Sequence, residues 1–331
     1  MRVFQSVQVD ELVDLLLGET VLPGVSPWRS QIRALSKSIT FVENDVFLSH
    51  KLLSHPKLSS LNKKTGTRII GMTGLPGAGK SSLTNLIVKE LRSQNKSVAV
   101  LAVDPSSSLS GGAILGDRVR MQDHFHDEHV FIRSMGARGA LGGVAKSTRS
   151  AIVLASLLNF DFILVETVGI GQSESEIINL ADTTALVLMP NSGDEIQLMK
   201  AGVLQLANIY IINKCDLSDA SRMVQELKEN TSHSNEEAWK PPVLKSSASR
   251  NEGIDEIIDA FLKHAEFEIQ HPVGRSIKLN RAKKEILQSM ILLTEEKFEV
   301  LLNSMDEKEV DKLVEGKTTA FYLAKNLLGG C

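Results

Sequence analysis

From Thr67 to about residue 270, short apolar runs alternate with stretches of helical periodicity, and this alternation constrains the fold more than any other feature of the chain. The runs are RIIGMT from Arg68, VAVLAV from Val98, VFIRS from Val130, FILVET from Phe162, ALVLMP from Ala185 and IYIIN from Ile209. Helical stretches lie between them near 80–94 and 144–158. A strand apolar at successive positions, not at every second one, must be covered on both faces. That is the condition of a mostly parallel sheet flanked by helices, since each parallel connection needs a crossover. The expected class is therefore α/β.

Helical periodicity also flanks this core. Val9, Leu12, Val13, Leu16 and Leu17 recur at helical spacing and Gly18 can end that helix. After the turn signals of residues 23–27, Ile32, Leu35, Ile39 and Val42 share a face from about Ser30 onward. Lys63-Lys64-Thr65-Gly66 reads as a polar turn before the first strand. Beyond residue 279 the chain is charged and helical, with Ile286, Met290 and Leu293 at heptad-like spacing. That segment has too few apolar positions for a core of its own. Its periodicity fits an appendage packed on the main domain or a dimerisation arm. The expected division is 1–66, an N-terminal helical extension; 67–270, the α/β domain; and 271–331, the C-terminal arm.

Gly74-Leu75-Pro76-Gly77-Ala78-Gly79-Lys80-Ser81 fits GxxxxGK[ST], with a strand before it and a helix after it. Glycines at these places let backbone N–H groups close around phosphate oxygens, and the helix adds its positive N-terminal end. Lys80 is expected to reach the β- and γ-phosphates and Ser81 to ligate Mg²⁺. At the end of a later strand stands Asn213-Lys214-Cys215-Asp216, the NKxD pattern. The Asp216 carboxylate can accept from both guanine N1–H and the 2-amine, where adenine has no donor. Such matching discriminates by roughly 10⁴-fold or more. The Lys214 stem can lie over the base and Asn213 can tie neighbouring loops together. Ser247-Ala248, after the run Val243-Leu244, is placed to supply a backbone N–H to guanine O6.

Two acidic residues close apolar strands, Asp104 after VAVLAV and Glu166 in FILVET. Carboxylates at the carboxyl ends of parallel strands beside a phosphate loop lie where a Mg²⁺–phosphate unit sits. Glu166-Thr167-Val168-Gly169 reads as a Walker B and switch II segment, with the Gly169 N–H sensing the γ-phosphate. The Ser- and Gly-rich loop after Asp104 reads as a switch, and Asp117 within it is a second magnesium or water-positioning candidate. Many small GTPases carry glutamine directly after the switch II glycine; here Ile170 stands there and Gln172 comes later. Slow intrinsic hydrolysis, raised by a partner or by dimerisation, is the expectation.

These strings, in this order, resemble the MeaB/ArgK group of methylmalonyl-CoA mutase-associated GTPases, to which human MMAA is related. The resemblance rests on GMTGLPGAGKSSL, AVDPSSSLSGGAILGDRVRM, FIRSMGARGALGGVAKSTR, ETVGIGQSE, SGDEIQ and NKCD, preceded by Arg33–Thr40 and Glu43. It implies a sheet in which the strands carrying Asp104 and Glu166 run parallel, and a homodimer formed through the C-terminal arm. It also implies a GTP-gated chaperone of an adenosylcobalamin-dependent acyl-CoA mutase. By the same resemblance, Gly74 to Ser82 hold phosphate, Asp104, Asp117 and Glu166 surround the metal, and Asp216 with Ser247, Ala248 and Ser249 holds guanine. Gly193–Gln197 with Lys200 become a third switch that contacts the mutase. Met135-Gly136, Ala201 and Asn208 depart from the group's usual residues, as does the tryptophan-free C-terminal arm.

Other features narrow the function. Net charge is −3, which gives no overall pull toward nucleic acid or an anionic membrane. Two cysteines, Cys215 and Cys331, form no disulfide framework. No apolar run reaches the length of a membrane span, and the N-terminus, with Asp10, Glu11 and Asp14, does not read as a targeting segment. A cytoplasmic protein is expected. Two rival readings are a metal-insertion GTPase of the nickel-enzyme maturation type and an ATP-dependent kinase of a transport protein. The first would use His124, His126 and His129 as ligands; NKCD argues against the second.

Overall fold

The computed structural model describes residues 2–59, 66–104, 121–124, 126–136, 143–167, 180–190, 207–231 and 239–328. Its centre is a sheet of seven strands: β1 (Arg68–Gly74), β2 (Val98–Asp104), β3 (Val130–Gly136), β4 (Phe162–Thr167), β5 (Thr183–Leu188), β6 (Ile209–Ile212) and β7 (Val243–Lys245). The spatial order is β3-β2-β4-β1-β5-β6-β7 and every pairing is parallel. The expected α/β class holds, and β2 and β4 are parallel neighbours, with Ala102 opposite Glu166.

The doubly apolar strands have the two-sided burial that their composition requires. Every residue of β4, β5 and β6 is buried. Alternate residues serve opposite faces: Leu101, Val103, Ile163 and Val165 join one core cluster, while Val98, Val100, Phe162 and Leu164 join the other. The second cluster is closed by α5 (Lys80–Ser93) and α8 (Ile254–Gln270). A third, smaller cluster packs Leu186, Leu188, Tyr210 and Ile212 against α7 (Ser221–Thr231).

The first cluster is closed by α6 (Gly143–Leu157) together with the N-terminal helices α1 (Arg2–Leu17), α2 (Pro27–Asn44) and α3 (Val46–Leu53); a short α4 (Pro56–Ser59) follows. Gly18, at φ +73°, follows α1 as its spacing predicted. Helix α2 starts earlier than periodicity indicated. The Ser26 hydroxyl accepts from the Arg29 N–H and Pro27 occupies the first turn, so capping chemistry sets the start ahead of the first apolar position. The Lys63–Thr65 part of the predicted polar turn lies outside the described residues.

The chain falls into two compact units, residues 1–279 and 280–331. Helix α9 (Pro272–Asn303) runs across that division and is followed by α10 (Glu307–Val314) and α11 (Ala320–Leu327). In the second unit Ile286, Leu287, Met290, Phe298 and Phe321 are exposed and Leu323 is buried.

Candidate nucleotide site

Because all strands are parallel, their carboxyl ends share one edge, and the loops that follow β1 and β6 emerge there beside the end of β4. The loop after β1 depends on glycine at two close approaches. A Cβ on Gly74 would lie 2.1 Å from the Val187 carbonyl oxygen, and one on Gly79 would lie 2.4 Å from Asn213 Nδ2; both residues have positive φ. Gly77, at φ +80°, differs: a Cβ there would point into open space, a cradle that a side chain would narrow. Gly79 is the N-cap of α5 and gives no side-chain cap to it. The first N–H groups of that helix are left to a ligand or to water.

Lys80 is the first residue of α5. Its buried ammonium donates to the carbonyls of Gly74 (2.6 Å) and Leu75 (3.0 Å), folding the side chain over the loop. Ser81, one residue on, donates from its hydroxyl to Glu166 Oε1 of β4, and both residues are buried. A hydroxyl and a carboxylate side by side form a hard, all-oxygen donor set of the kind Mg²⁺ takes. Asp104 ends β2 at the same edge, where Val103 pairs with Thr167. Its side chain lies outside what the structure describes, as do Asp117, Gly169, Ile170, Gln172, Gly193–Gln197 and Lys200.

The base loop is tied to the phosphate loop. Asn213 Nδ2 donates to the Ala78 carbonyl (2.8 Å), and its Oδ1 accepts from the Ala248 N–H (3.1 Å) and the Ser246 hydroxyl (3.3 Å). One buried amide thus joins three loops, as its place in the motif predicted. Lys214 has φ +62°, a left-handed conformation uncommon for a long side chain, and its Cε lies 4.0 Å from the Cβ position of Gly79. The loop after β7 closes through the Ser247–Glu252 bridge. Gly253 (φ +81°) then starts α8, where a Cβ would meet the Lys245 carbonyl at 2.3 Å.

Asp216 is held by two hydroxyls. Ser247 Oγ donates to Oδ1 (2.6 Å) and Ser249 Oγ to Oδ2 (2.9 Å). These bonds, with Arg250 nearby, hold the carboxyl below its ordinary pKa, so it is an anion at neutral pH. The motif reading assigned Ser247 and Ala248 to backbone contacts and missed the hydroxyls. The signal was a serine at both positions flanking Ala248.

The three histidines do not converge. The His124 ring is buried, with Nε2 3.3 Å from the Asn85 carbonyl oxygen, while His126 is exposed and the exposed His129 ring lies 6.0 Å from that of Trp28. Among the described residues no group of three His, Cys, Asp or Glu is placed to hold a metal ion. No described helix is long and apolar enough to cross a membrane.

Comparison with known proteins places this geometry in a family. The family described as methylmalonyl-CoA mutase-associated GTPase MeaB matches residues 35–306. A Pyrococcus abyssi protein provisionally named a GTPase is 38% identical over 312 residues, which is 90% of this chain and 94% of its own. GTPase ArgK of Escherichia coli is 33% identical over 83% of this chain and 82% of its own. The mouse methylmalonic aciduria type A homolog is 38% identical over 70% of this chain but only 59% of its own length. Among solved structures, that of a LAO/AO transport system kinase aligns over 97% of this chain and 96% of its own with a TM-score of 0.63; at 23% identity it supports the fold alone. The chain belongs to the MeaB family of methylmalonyl-CoA mutase-associated GTPases and is itself a P-loop GTPase.

Proposed function

We propose that this GTPase is a chaperone that gates cofactor loading, protection or reactivation of an adenosylcobalamin-dependent acyl-CoA mutase of the methylmalonyl-CoA type. Gly74–Ser82 bind the phosphates of GTP or GDP, with Lys80 turning from the loop carbonyls to the β- and γ-phosphates. Asn213, Lys214, Asp216 and Ser247–Ser249 bind guanine. Ser81, Asp104, Asp117 and Glu166 hold Mg²⁺, which supplies charge neutralisation on the phosphates. The Gly169 N–H senses the γ-phosphate. Residues 271–331 form the arm of a homodimer beside a GTPase domain of 67–270 and an N-terminal extension of 1–66, and the protein works in the cytoplasm.

One observation carries the nucleotide part of this reading. The Asn213–Ala78 bond joins the base loop to the phosphate loop across 135 residues, and in the base loop the Ser247 and Ser249 hydroxyls hold the Asp216 carboxylate charged. The family match and the resemblance to the mouse protein support the mutase part. Hydrolysis by the isolated chain is slow, because Ile170 stands where many GTPases orient water with glutamine.

Asp216→Asn tests the base assignment. The amide presents a donor where xanthine has a carbonyl, so GDP binding weakens by roughly 100-fold or more and xanthosine diphosphate binding rises. Unchanged GDP affinity in calorimetry removes Asp216 as the base reader. Capture of partners with the GTP- and GDP-loaded protein tests the client: recovery of an acyl-CoA mutase in one nucleotide state supports the chaperone reading, and its absence from both overturns it. ATP competing as well as GTP for the site would favour the kinase reading.

A further inference from the structure

The hydroxyls around Asp216 hold more contacts than protons. Ser247 Oγ lies 2.6 Å from Oδ1, Ser249 Oγ lies 2.9 Å from Oδ2, and the two hydroxyl oxygens lie 3.0 Å from each other. Each hydroxyl has one proton. With both directed at the carboxylate, the oxygen–oxygen contact is left without a hydrogen; with one directed at the other serine, one carboxylate oxygen loses its donor. Two arrangements of the same heavy atoms are therefore close to each other, and only a hydroxyl rotation separates them. The residues differ in freedom: Ser247 is buried and Ser249 is exposed.

We infer that Ser249 tunes which 6-oxopurine nucleotides the site accepts, by standing in on Asp216 Oδ2 for the 2-amine of guanine. The inference rests on Asp216 reading the base. When guanine is bound, N1–H and the 2-amine donate to the two carboxylate oxygens. Oδ2 then has its donor from the base, and the Ser249 proton is free to turn to Ser247 Oγ, which is within hydrogen-bond distance. When hypoxanthine is bound there is no 2-amine, and Ser249 keeps its proton on Oδ2. A carboxylate oxygen stripped of a donor is the main source of discrimination against such a base, and Ser249 removes much of it. Hypoxanthine nucleotides are thus a second ligand class for this site. Adenine nucleotides stay excluded, because their N1 accepts and does not donate.

The test is calorimetric titration of the full chain and of Ser249→Ala with GDP, inosine diphosphate (IDP) and ADP. In Ser249→Ala, IDP binding weakens about threefold to tenfold more than GDP binding does, so preference for GDP over IDP rises by that factor. Ser249→Thr retains a hydroxyl and restores the original preference. An unchanged ratio in Ser249→Ala, or equal weakening of GDP and IDP, overturns the inference, since a purely structural serine moves both ligands together. These outcomes leave the base assignment standing provided GDP binds and ADP does not. If GDP fails to bind the unaltered chain, the reading of Asp216 itself falls.

Discussion

Two helical segments flank the α/β core, and they solve the same problem in opposite ways. In the N-terminal segment the apolar stripe is consumed: Val9, Leu12, Val13, Leu16, Leu35 and Ile39 lie in one cluster with α6 and with strands β2, β3 and β4. In the C-terminal unit the stripe is displayed, with Met290 at 59% exposure and Phe321 at 82%. Both segments carry helical periodicity, yet the N-terminal stripe is buried and these C-terminal side chains are exposed. Amphipathic spacing specifies a helix and a face; it does not specify what covers the face.

The largest expected effect comes from breaking the buried flank. Leu35 has no exposed surface, and Leu35→Ala should lower stability by about 2–5 kcal/mol in urea unfolding, through lost transfer energy and the cavity left behind. A loss under about 1 kcal/mol would mean that the N-terminal helices are not part of the cooperative core, and the contrast between the flanks would disappear.

A second effect sharpens the comparison at the join. On β3, an edge strand, Arg133 donates to the Thr40 hydroxyl (3.1 Å) and to the Glu43 carboxylate of α2, with side chains only 19% and 10% exposed. Arg133 lies on the same face as Phe131 and Met135, so the charged pair ties α2 to that face of the edge strand. Glu43→Ala leaves a largely buried guanidinium without its anion and should destabilise by about 2–3 kcal/mol, somewhat less than for a fully buried pair. Glu43→Ala combined with Arg133→Met should recover part of that loss, because the unpaired charge is gone. No recovery would mean the pair has no mutual coupling.

Much of this was legible in the sequence, and the reasons are physical. Doubly buried strands have to be apolar at successive positions, so six of the seven strands and the parallel class could be read from the pattern; β7 is only half-buried to exposed and shows in the sequence as no more than the short run Val243-Leu244. Glycine-dependent turns are also local: Gly74, Gly77 and Gly79 form one string and NKCD another. What could not be read is pairing at a distance. The NKxD pattern marks Asn213 as a tie between loops without naming Ala78 as its partner, and Ser-Ala-Ser has no periodicity to say that two hydroxyls reach Asp216. The early start of α2 was missed because apolar spacing, not the cap at Ser26, set the expected boundary. The contrast between the flanks was unreadable for the same reason: a helical stripe reports its own geometry only.

A smaller effect concerns the surface of the buried flank. Lys57 donates to Asp14 (2.5 Å) and Glu19 (2.6 Å). The Lys57 bond holds the Asp14 carboxyl below its ordinary value of 3.8, and the Asp14 bond raises the Lys57 pKa above 10.5. The Asp14 contribution is complete above its unfolded pKa and fades as pH falls through the lower folded value. The Lys57 contribution is complete below its unfolded pKa and fades as pH rises through the higher folded value. Lys57→Met should therefore lower the thermal midpoint slightly and by a constant amount from about pH 5 to about pH 9, with the difference shrinking in acid. A difference that grows as pH falls below 3.8 would contradict the ion-pair origin.

The smallest effect on folding belongs to the displayed flank, and its smallness is the informative result. Phe321 sits near the start of α11, where the Thr319 hydroxyl caps the helix by accepting from the Tyr322 N–H (3.2 Å). Phe321→Ser leaves that cap intact and removes a ring that buries little surface, so monomer stability should change by no more than about 0.5 kcal/mol. On the dimer reading proposed above, the same substitution should weaken self-association measured by sedimentation, since an aromatic ring is a typical anchor of an interface. The two readouts must separate. If Phe321→Ser lowers the unfolding free energy as Leu35→Ala does, the C-terminal stripe is a core face like the N-terminal one, and the two flanks obey one rule. If neither readout moves, the displayed ring serves neither folding nor self-association, and the exposed stripe is left to a different partner.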